Sequence, residues 1–165
     1  MQRRLFLAPI AVPVLAGCGF QLRGAPDLAF TSIYVNVSEA STIGNELKRN
    51  LVSLAPLQVI NPPAAQSDAQ VILDITFEQR EKTVVGVNAS GQVREFQLRL
   101  RVRFRLRTPQ GKELIPDTEL LQQRDISFNE SAVLAKEAEE GLMHRDMQSD
   151  IVRQMMRRLA AVKSL

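Results

Sequence analysis

The sequence predicts an α+β fold, a two-layer sandwich in which two helices pack on one face of a four-stranded mixed sheet. Three observations predict it. Residues 71–77 and 96–106 alternate apolar and polar side chains with the period of a strand. Residues 43–54 and 134–159 repeat apolar side chains at helical spacing. Each of these segments has a single apolar face, which must be buried against another layer.

In chain order, Ile33, Val35 and Val37 alternate with Tyr34 and Asn36, a short strand with one buried face. Residues 38–44 supply cap and turn chemistry. Ile43, Leu47, Leu51 and Leu54 then form the stripe of an amphipathic helix, with Glu46, Lys48, Arg49 and Asn50 mostly off it, and Pro56 stops it. Residues 57–60 are a candidate brief strand outside the four. In the second strand Val71, Leu73, Ile75 and Phe77 are expected to face one way, and Asp74, Thr76, Glu78, Arg80 and Lys82 the other. Asn88-Ala-Ser-Gly91 suits a hairpin loop, because Asn and Gly tolerate positive φ.

The third strand has the clearest pattern. Phe96, Leu98, Leu100, Val102, Phe104 and Leu106 alternate with Gln97, Arg99, Arg101, Arg103, Arg105 and Arg107. A turn at residues 108–112 leads to a fourth strand over residues 118–128. After Asn129, a candidate N-cap, residues 131–162 read as a long helix whose stripe is Leu134, Leu142, Met143, Met147, Ile151, Met155 and Leu159. Gly141 costs a helix about 1 kcal/mol against alanine, so a break or kink is expected there if anywhere. Arg157, Arg158 and Lys163 suit the negative end of the helix dipole.

The N-terminus carries different information. Arg3 and Arg4 precede an apolar run from Leu5 to Leu15, interrupted by Pro9 and Pro13, the anatomy of a secretory signal. A spanning helix needs about 20 apolar residues, so this run is too short for one. It ends in Leu15-Ala16-Gly17-Cys18, which resembles the bacterial lipobox, where the cysteine sulfur accepts a diacylglycerol. The alternative is an ordinary signal peptide cut near Ala16, with a chance cysteine. On the lipobox reading residues 1–17 are a cleaved signal peptide, residues 18–29 a lipidated tether holding Gly24, Pro26 and Asp27, and residues 30–165 a single α+β domain. One acyl chain, at roughly 0.8 kcal/mol per methylene, anchors only marginally. The three chains implied at Cys18 make a firm anchor. Gly19, where an Asp would retain such a lipoprotein in the inner membrane, points to the outer one.

Composition narrows function by exclusion. The net charge of +3 includes Arg3 and Arg4; without them 19 basic side chains face 18 acidic ones, so the high isoelectric point is poor evidence for nucleic acid. Cys18 is the one cysteine, so no disulfide within the chain is expected. His144 has no second histidine or cysteine with which to build a metal site and reads as a solvated or capping residue. Ser90 and Ser127 lack a Gly-x-Ser-x-Gly setting. Glu137, Glu139 and Glu140 lie near the start of the expected helix, where carboxylates favour the dipole. No phosphate loop or dinucleotide fingerprint occurs. A nonenzymatic binding or assembly component, without a cofactor, is expected.

The arginine row allows two readings. Alternate strand residues repeat about every 6.8 Å, so Arg99, Arg101, Arg103, Arg105 and Arg107 make a stripe about 30 Å long. A hairpin closing symmetrically around Ala89 and Ser90 sets Glu78 opposite Arg101 and Asp74 opposite Arg105, which describes a solvated, partly paired face. The other reading is an anion or partner surface. Guanidinium forks suit phosphates, and for an exported lipoprotein a phosphorylated lipid is a better anion than nucleic acid.

Several strings converge on one family. Cys18-Gly-Phe-Gln-Leu-Arg-Gly24 after the lipobox, Val87-Asn-Ala-Ser-Gly91-Gln-Val-Arg-Glu95-Phe96, and Leu134-Ala-Lys136-Glu137 followed by Asp146-Met147 and residues 151–159 resemble the LPS-assembly lipoprotein family, LptE or RlpB. The resemblance spans nearly the whole mature chain. It implies a two-helix, four-stranded sandwich. It also implies an outer-membrane lipoprotein that plugs the barrel of the lipopolysaccharide translocon, an LptD-like partner, from the periplasmic side and within the lumen. Such a protein aids assembly of that barrel and binds lipopolysaccharide. Of two basic contact positions in the family, one matches Lys136; the other falls at Ala89, which is not basic, and Arg94 is the candidate substitute. A different class is a structural lipoprotein adaptor of another envelope machine, with no lipid ligand.

Overall fold

The structure is a computed structural model that describes residues 28–62 and 64–165; the expected signal peptide, Cys18 and nearly all of the expected tether lie outside them. In order come β1 (Ser32–Asn36), α1 (Thr42–Val52), β2 (Gln58–Ile60), a 3-10 turn at Gln66–Asp68, β3 (Val71–Val87), β4 (Val93–Arg107), β5 (Glu113–Ser127), a 3-10 turn at Glu130–Ala132 and α2 (Val133–Ala160). The strands form one mixed sheet in the order β2-β1-β3-β4-β5. β1 runs parallel to both its neighbours, and β3, β4 and β5 are antiparallel. The expected α+β sandwich is present, with five strands rather than four: the brief segment after Pro56 pairs Gln58 with Ser32 and Ile60 with Tyr34, adding an edge to β1.

Both helices lie on one side of the sheet. Ile43, Leu47 and Leu51 of α1 and Met147, Ile151, Met155 and Leu159 of α2 are fully buried with Ile33, Val71, Leu73, Leu98, Leu100, Val102, Phe104 and Leu106. Ser41 caps α1 by accepting from the Gly44 amide at 2.8 Å. Gly44 is required by close packing, because a Cβ there would lie 2.6 Å from Val37 Cγ1. Asn129 caps the 3-10 turn rather than α2, accepting from the Ser131 amide, and α2 begins at Val133.

The expected stripe of α2 is correct only from Met143 onwards. Leu134 and Leu142 are exposed, because the N-terminal part of α2 runs past the packed core. Gly141 neither breaks nor ends the helix, which is continuous over 28 residues.

The largest departure is in β3. Ile75 faces Phe104, but the next paired residue, Phe77, faces Arg103, so Thr76 is an extra residue in the strand. Such a bulge reverses the faces of the residues beyond it, here as far as Val84, after which the register shifts again. Phe77, expected in the core, is 37% exposed on the open face. Glu78, Arg80 and Lys82, expected on the open face, stand opposite Val102, Leu100 and Leu98 and reach the helices. Glu78 accepts from Ser41 Oγ at 2.5 Å, Arg80 donates to Thr42 Oγ1 at 2.6 Å, and Lys82 meets Glu140 at 2.6 Å. The symmetric register holds for Asp74 and Arg105 but not for Glu78, for the same reason.

Gly141 has open space where a Cβ would sit and no positive φ. Gly141→Ala is expected to stabilise the domain by about 0.5–1 kcal/mol through helix propensity alone; urea unfolding monitored by circular dichroism measures it.

Candidate functional site

On the open face of the sheet the arginine row is largely paired. Arg105 Nε and Arg107 Nε lie 2.9 and 2.8 Å from the same oxygen of Asp74, whose other oxygen accepts from Asn36 Nδ2 at 2.8 Å. Arg103 pairs with Asp117, and Arg101 Nε lies 3.7 Å from Glu119 without hydrogen bonding to it. Arg99 donates to Gln97 at 2.7 Å, with Glu81 opposite it in register. Four of the five arginines therefore have a carboxylate within 4 Å, drawn from both flanking strands. Three carboxylates, Asp74, Asp117 and Glu119, thus serve four arginines, and the row forms the positive centre of a partly compensated lattice.

Asp74 holds the buried end of that lattice. Burial pushes its carboxyl up, but hydrogen bonds from Arg107, Asn36 and Arg105 outweigh this, and its pKa lies below the ordinary 3.8.

Lys136 lies on the other side of the sheet, at the hairpin end. Its ammonium donates to Ser127 Oγ at 3.0 Å and to Glu139 at 2.8 Å. It lines a small cleft, about 60 Å³, together with Lys82, Phe96, Phe128, Val133 and Glu140. Phe96 and Phe128 meet edge to face at 5.3 Å, and Lys82 Nζ sits 4.4 Å over the Phe96 ring. Arg94 is exposed at the start of β4, and its carbonyl accepts from the Phe128 amide at 2.8 Å. Lys136 and Arg94 are thus gathered at one end of the molecule, and the arginine row is kept away from both.

Around this end Val84, Val85, Val87, Val133 and Leu134 are exposed. Two ammonium groups on an aromatic floor, each paired with a glutamate whose place an anionic head could take, stand beside exposed aliphatic side chains and make an amphipathic surface. Lys82 was not expected here, since strand alternation places it on the opposite face; only the bulge at Thr76 brings it over.

The remaining polar candidates have structural roles. Ser90 caps the hairpin turn through its amide, which donates to Asn88 Oδ1 at 3.0 Å, and Gly91 takes φ 78° in that turn. Glu139 and Glu140 are ion-paired to Lys136 and Lys82. His144 is mostly enclosed rather than solvated: Nε2 lies 3.8 Å from Glu140, and Nδ1 is buried without a hydrogen-bond partner. Burial first, then the charge of Arg80, lowers its pKa below 6.5; Glu140 opposes this and Lys82 adds to it. Among the described residues no three His, Cys, Asp or Glu side chains are grouped to hold a metal, and no helix is long and apolar enough to cross a membrane.

A family model for lipopolysaccharide-assembly, LptE, matches residues 30–159, nearly the whole described domain. The chain belongs to the LptE family. An LPS-assembly lipoprotein LptE of Pectobacterium atrosepticum is 24% identical over 98% of this chain and 88% of its own length. That of Photorhabdus laumondii is 28% identical over 94% and 84%. Among solved structures, an uncharacterized lipoprotein B from Nitrosomonas europaea is 35% identical and superposes with a TM-score of 0.73, covering 87% of this chain and 91% of that one. The rare lipoprotein B of Shewanella oneidensis, at 19% identity and TM-score 0.66, covers 79% and 94% and shares the fold. The LptE match spans both helices and all five strands, so the Thr76 bulge, the Asp74 clamp and the Lys136 cleft all lie within the family domain.

Two changes test this geometry. Asp74→Ala leaves Arg105 and Arg107 facing each other without a counter-charge. The expected loss is about 2–3 kcal/mol, below that of a fully buried pair because Arg105 is partly solvated, read by urea unfolding. Acid has two effects of one sign. His144, lowered in the folded state, is protonated first in the unfolded chain, so stability falls as pH drops below 6.5 and levels off below the folded value. The Asp74 contribution is complete above 3.8 and is lost as pH falls through its lower folded value. His144→Gln is expected to flatten the upper of these two declines and leave the lower one.

Proposed function

We propose that this LptE-family chain is the outer-membrane lipoprotein subunit of a lipopolysaccharide translocon. It is nonenzymatic, anchored through acylated Cys18, and seated from the periplasmic side within the lumen of an LptD-like barrel whose assembly it assists. It binds lipopolysaccharide at the hairpin end, through Lys136 and Arg94 with the apolar side chains around them. The observation that carries the reading is the meeting of the family match with an amphipathic cleft at Lys136. Lipopolysaccharide offers phosphates and acyl chains together, and this end of the domain offers ammonium groups beside exposed aliphatic residues. The open sheet face supports the plug: four of its five arginines have a carboxylate within 4 Å, and a charged surface suits the polar interior of a large barrel.

The arginine row then serves the sheet rather than the ligand, since it stands on the face opposite the Lys136 cleft and shares Asp74, Asp117 and Glu119 among four of its arginines.

Copurification from detergent-solubilised outer membrane is expected to recover a large barrel protein with the intact chain; recovery of none would overturn the translocon assignment. Lys136→Asp is expected to weaken binding to lipopolysaccharide, and wild-type binding to decline with added salt. An unchanged binding curve would remove Lys136 from the site. Recovery of the barrel with no lipopolysaccharide binding by the wild type would favour the adaptor. The double substitution Arg101→Gln with Arg103→Gln is expected to leave lipopolysaccharide binding intact, and a loss would return the row to the ligand surface.

A further inference from the structure

Between the two helices lies a second cleft, unrelated to Lys136. It has a volume of about 530 Å³ and is lined by Thr42 and Arg49 of α1, Arg80 of β3, and His144, Arg145 and Gln148 of α2. This lies within the range of roughly 300–1,000 Å³ usual for small-ligand sites. The Thr76 bulge turns Arg80 into it, where one guanidinium nitrogen donates to Thr42 Oγ1 at 2.6 Å and to Gln148 Oε1 at 3.1 Å. Arg49 and Arg145 are exposed on either wall.

None of these three arginines has a carboxylate within 4 Å among the described residues, in contrast to the row on the other side of the sheet. The nearby carboxylates are engaged elsewhere: Glu46 accepts from Gln148 Nε2 and Ser149 Oγ, and Glu140 is held by Lys82. The walls add positive character, because α1 presents its N-terminal turn here through Thr42. Arg80 also lowers the pKa of His144, so positive potential reaches the imidazole, whose Nδ1 is buried and unpartnered.

We propose that this cleft binds the dianion of a phosphate monoester, held by Arg80 at the floor and by Arg49 and Arg145 from the two helices. Three guanidinium forks exceed what a single carboxylate can engage, and phosphate oxygens accept from them bidentately. The phosphate can be free or the headgroup of a lipid; the chemistry is shared. The inference is independent of lipopolysaccharide binding at Lys136 and uses none of its residues.

His144 is the one histidine of the chain, so its imidazole is a single-site reporter at the cleft. The full chain in neutral detergent is titrated with inorganic phosphate, and separately with mixed micelles containing phosphatidic acid or phosphatidylcholine, and the His144 Hε1 resonance is followed. Saturable movement is expected, with an upward shift of the imidazole titration midpoint, since a bound dianion favours the protonated ring. Saturation by inorganic phosphate and by phosphatidic acid assigns a site for the group from either source; saturation by phosphatidic acid alone assigns the lipid. Arg49→Gln with Arg145→Gln removes two exposed side chains that make no ion pair in the fold, and is expected to weaken binding at least about tenfold. Lys136→Asp is expected to leave it unchanged. No saturable shift with either phosphate source, an equal response to phosphatidylcholine, or undiminished binding by the double variant overturns the proposal.

Discussion

One extra residue, Thr76, decides which polar groups of β3 the helices meet. Side chains alternate along a strand, so an insertion in one of two paired strands exchanges its faces from that point on. Before the bulge β3 behaves as alternation requires, with Leu73 and Ile75 set against Leu106 and Phe104. After it, Glu78, Arg80 and Lys82 lie beneath the helices and bond to Ser41, Thr42 and Glu140. β4 keeps one apolar face throughout, so the layer between sheet and helices changes from wholly apolar to half polar along its length. The packed core, the arginine cleft and the Lys136 cleft succeed one another along that gradient.

The open face meets a different constraint. Five arginines on one strand repel each other unless carboxylates separate them, and the neighbouring strands supply these from both sides. Asp74 accepts from Arg105, Arg107 and Asn36 at once, so three side chains from two strands depend on one buried carboxylate. On this account the row is held by its carboxylate neighbours, whereas Arg80 beneath the helices and Arg49 and Arg145 on them have none within 4 Å among the described residues. Charge density in the sequence does not distinguish these cases; only the partners do.

Strong periodicity made most of the fold legible. The alternation of residues 96–107 fixed β4 and both its faces, and the stripe of Ile43, Leu47 and Leu51 fixed α1 and its buried side. What could not be read was local or long-range. Residues 57–60 have too few side chains for a period, and their pairing to β1 depends on the path of α1. Thr76 looks like any other polar position in an alternating run, so nothing marked Phe77 as exposed or Lys82 as a neighbour of Phe96. Leu134 and Leu142 continue the helical stripe faithfully, but the sheet beneath them no longer offers a core. For the site, Lys136 was legible through family resemblance alone, while Arg49, Arg80 and Arg145 come from three elements and have no sequence pattern that joins them.

The lengths of the strands give the hairpin a mechanical character. β3 and β4 run for 17 and 15 residues, but the side chains of β3 are buried only over its first four, and beyond Ile75 none is. Its partner β4 stays in the core as far as Leu98, so β3 is supported through that strand up to Lys82, and only the tip beyond is held mainly by its ladder of hydrogen bonds and by β5. Resistance to local opening falls along the strand from root to tip, as it does wherever hydrogen bonds extend past the core that supports them. The tip that carries Arg94 and the exposed valines is the part of the β3–β4 hairpin with the least buried support, and is expected to open before its root.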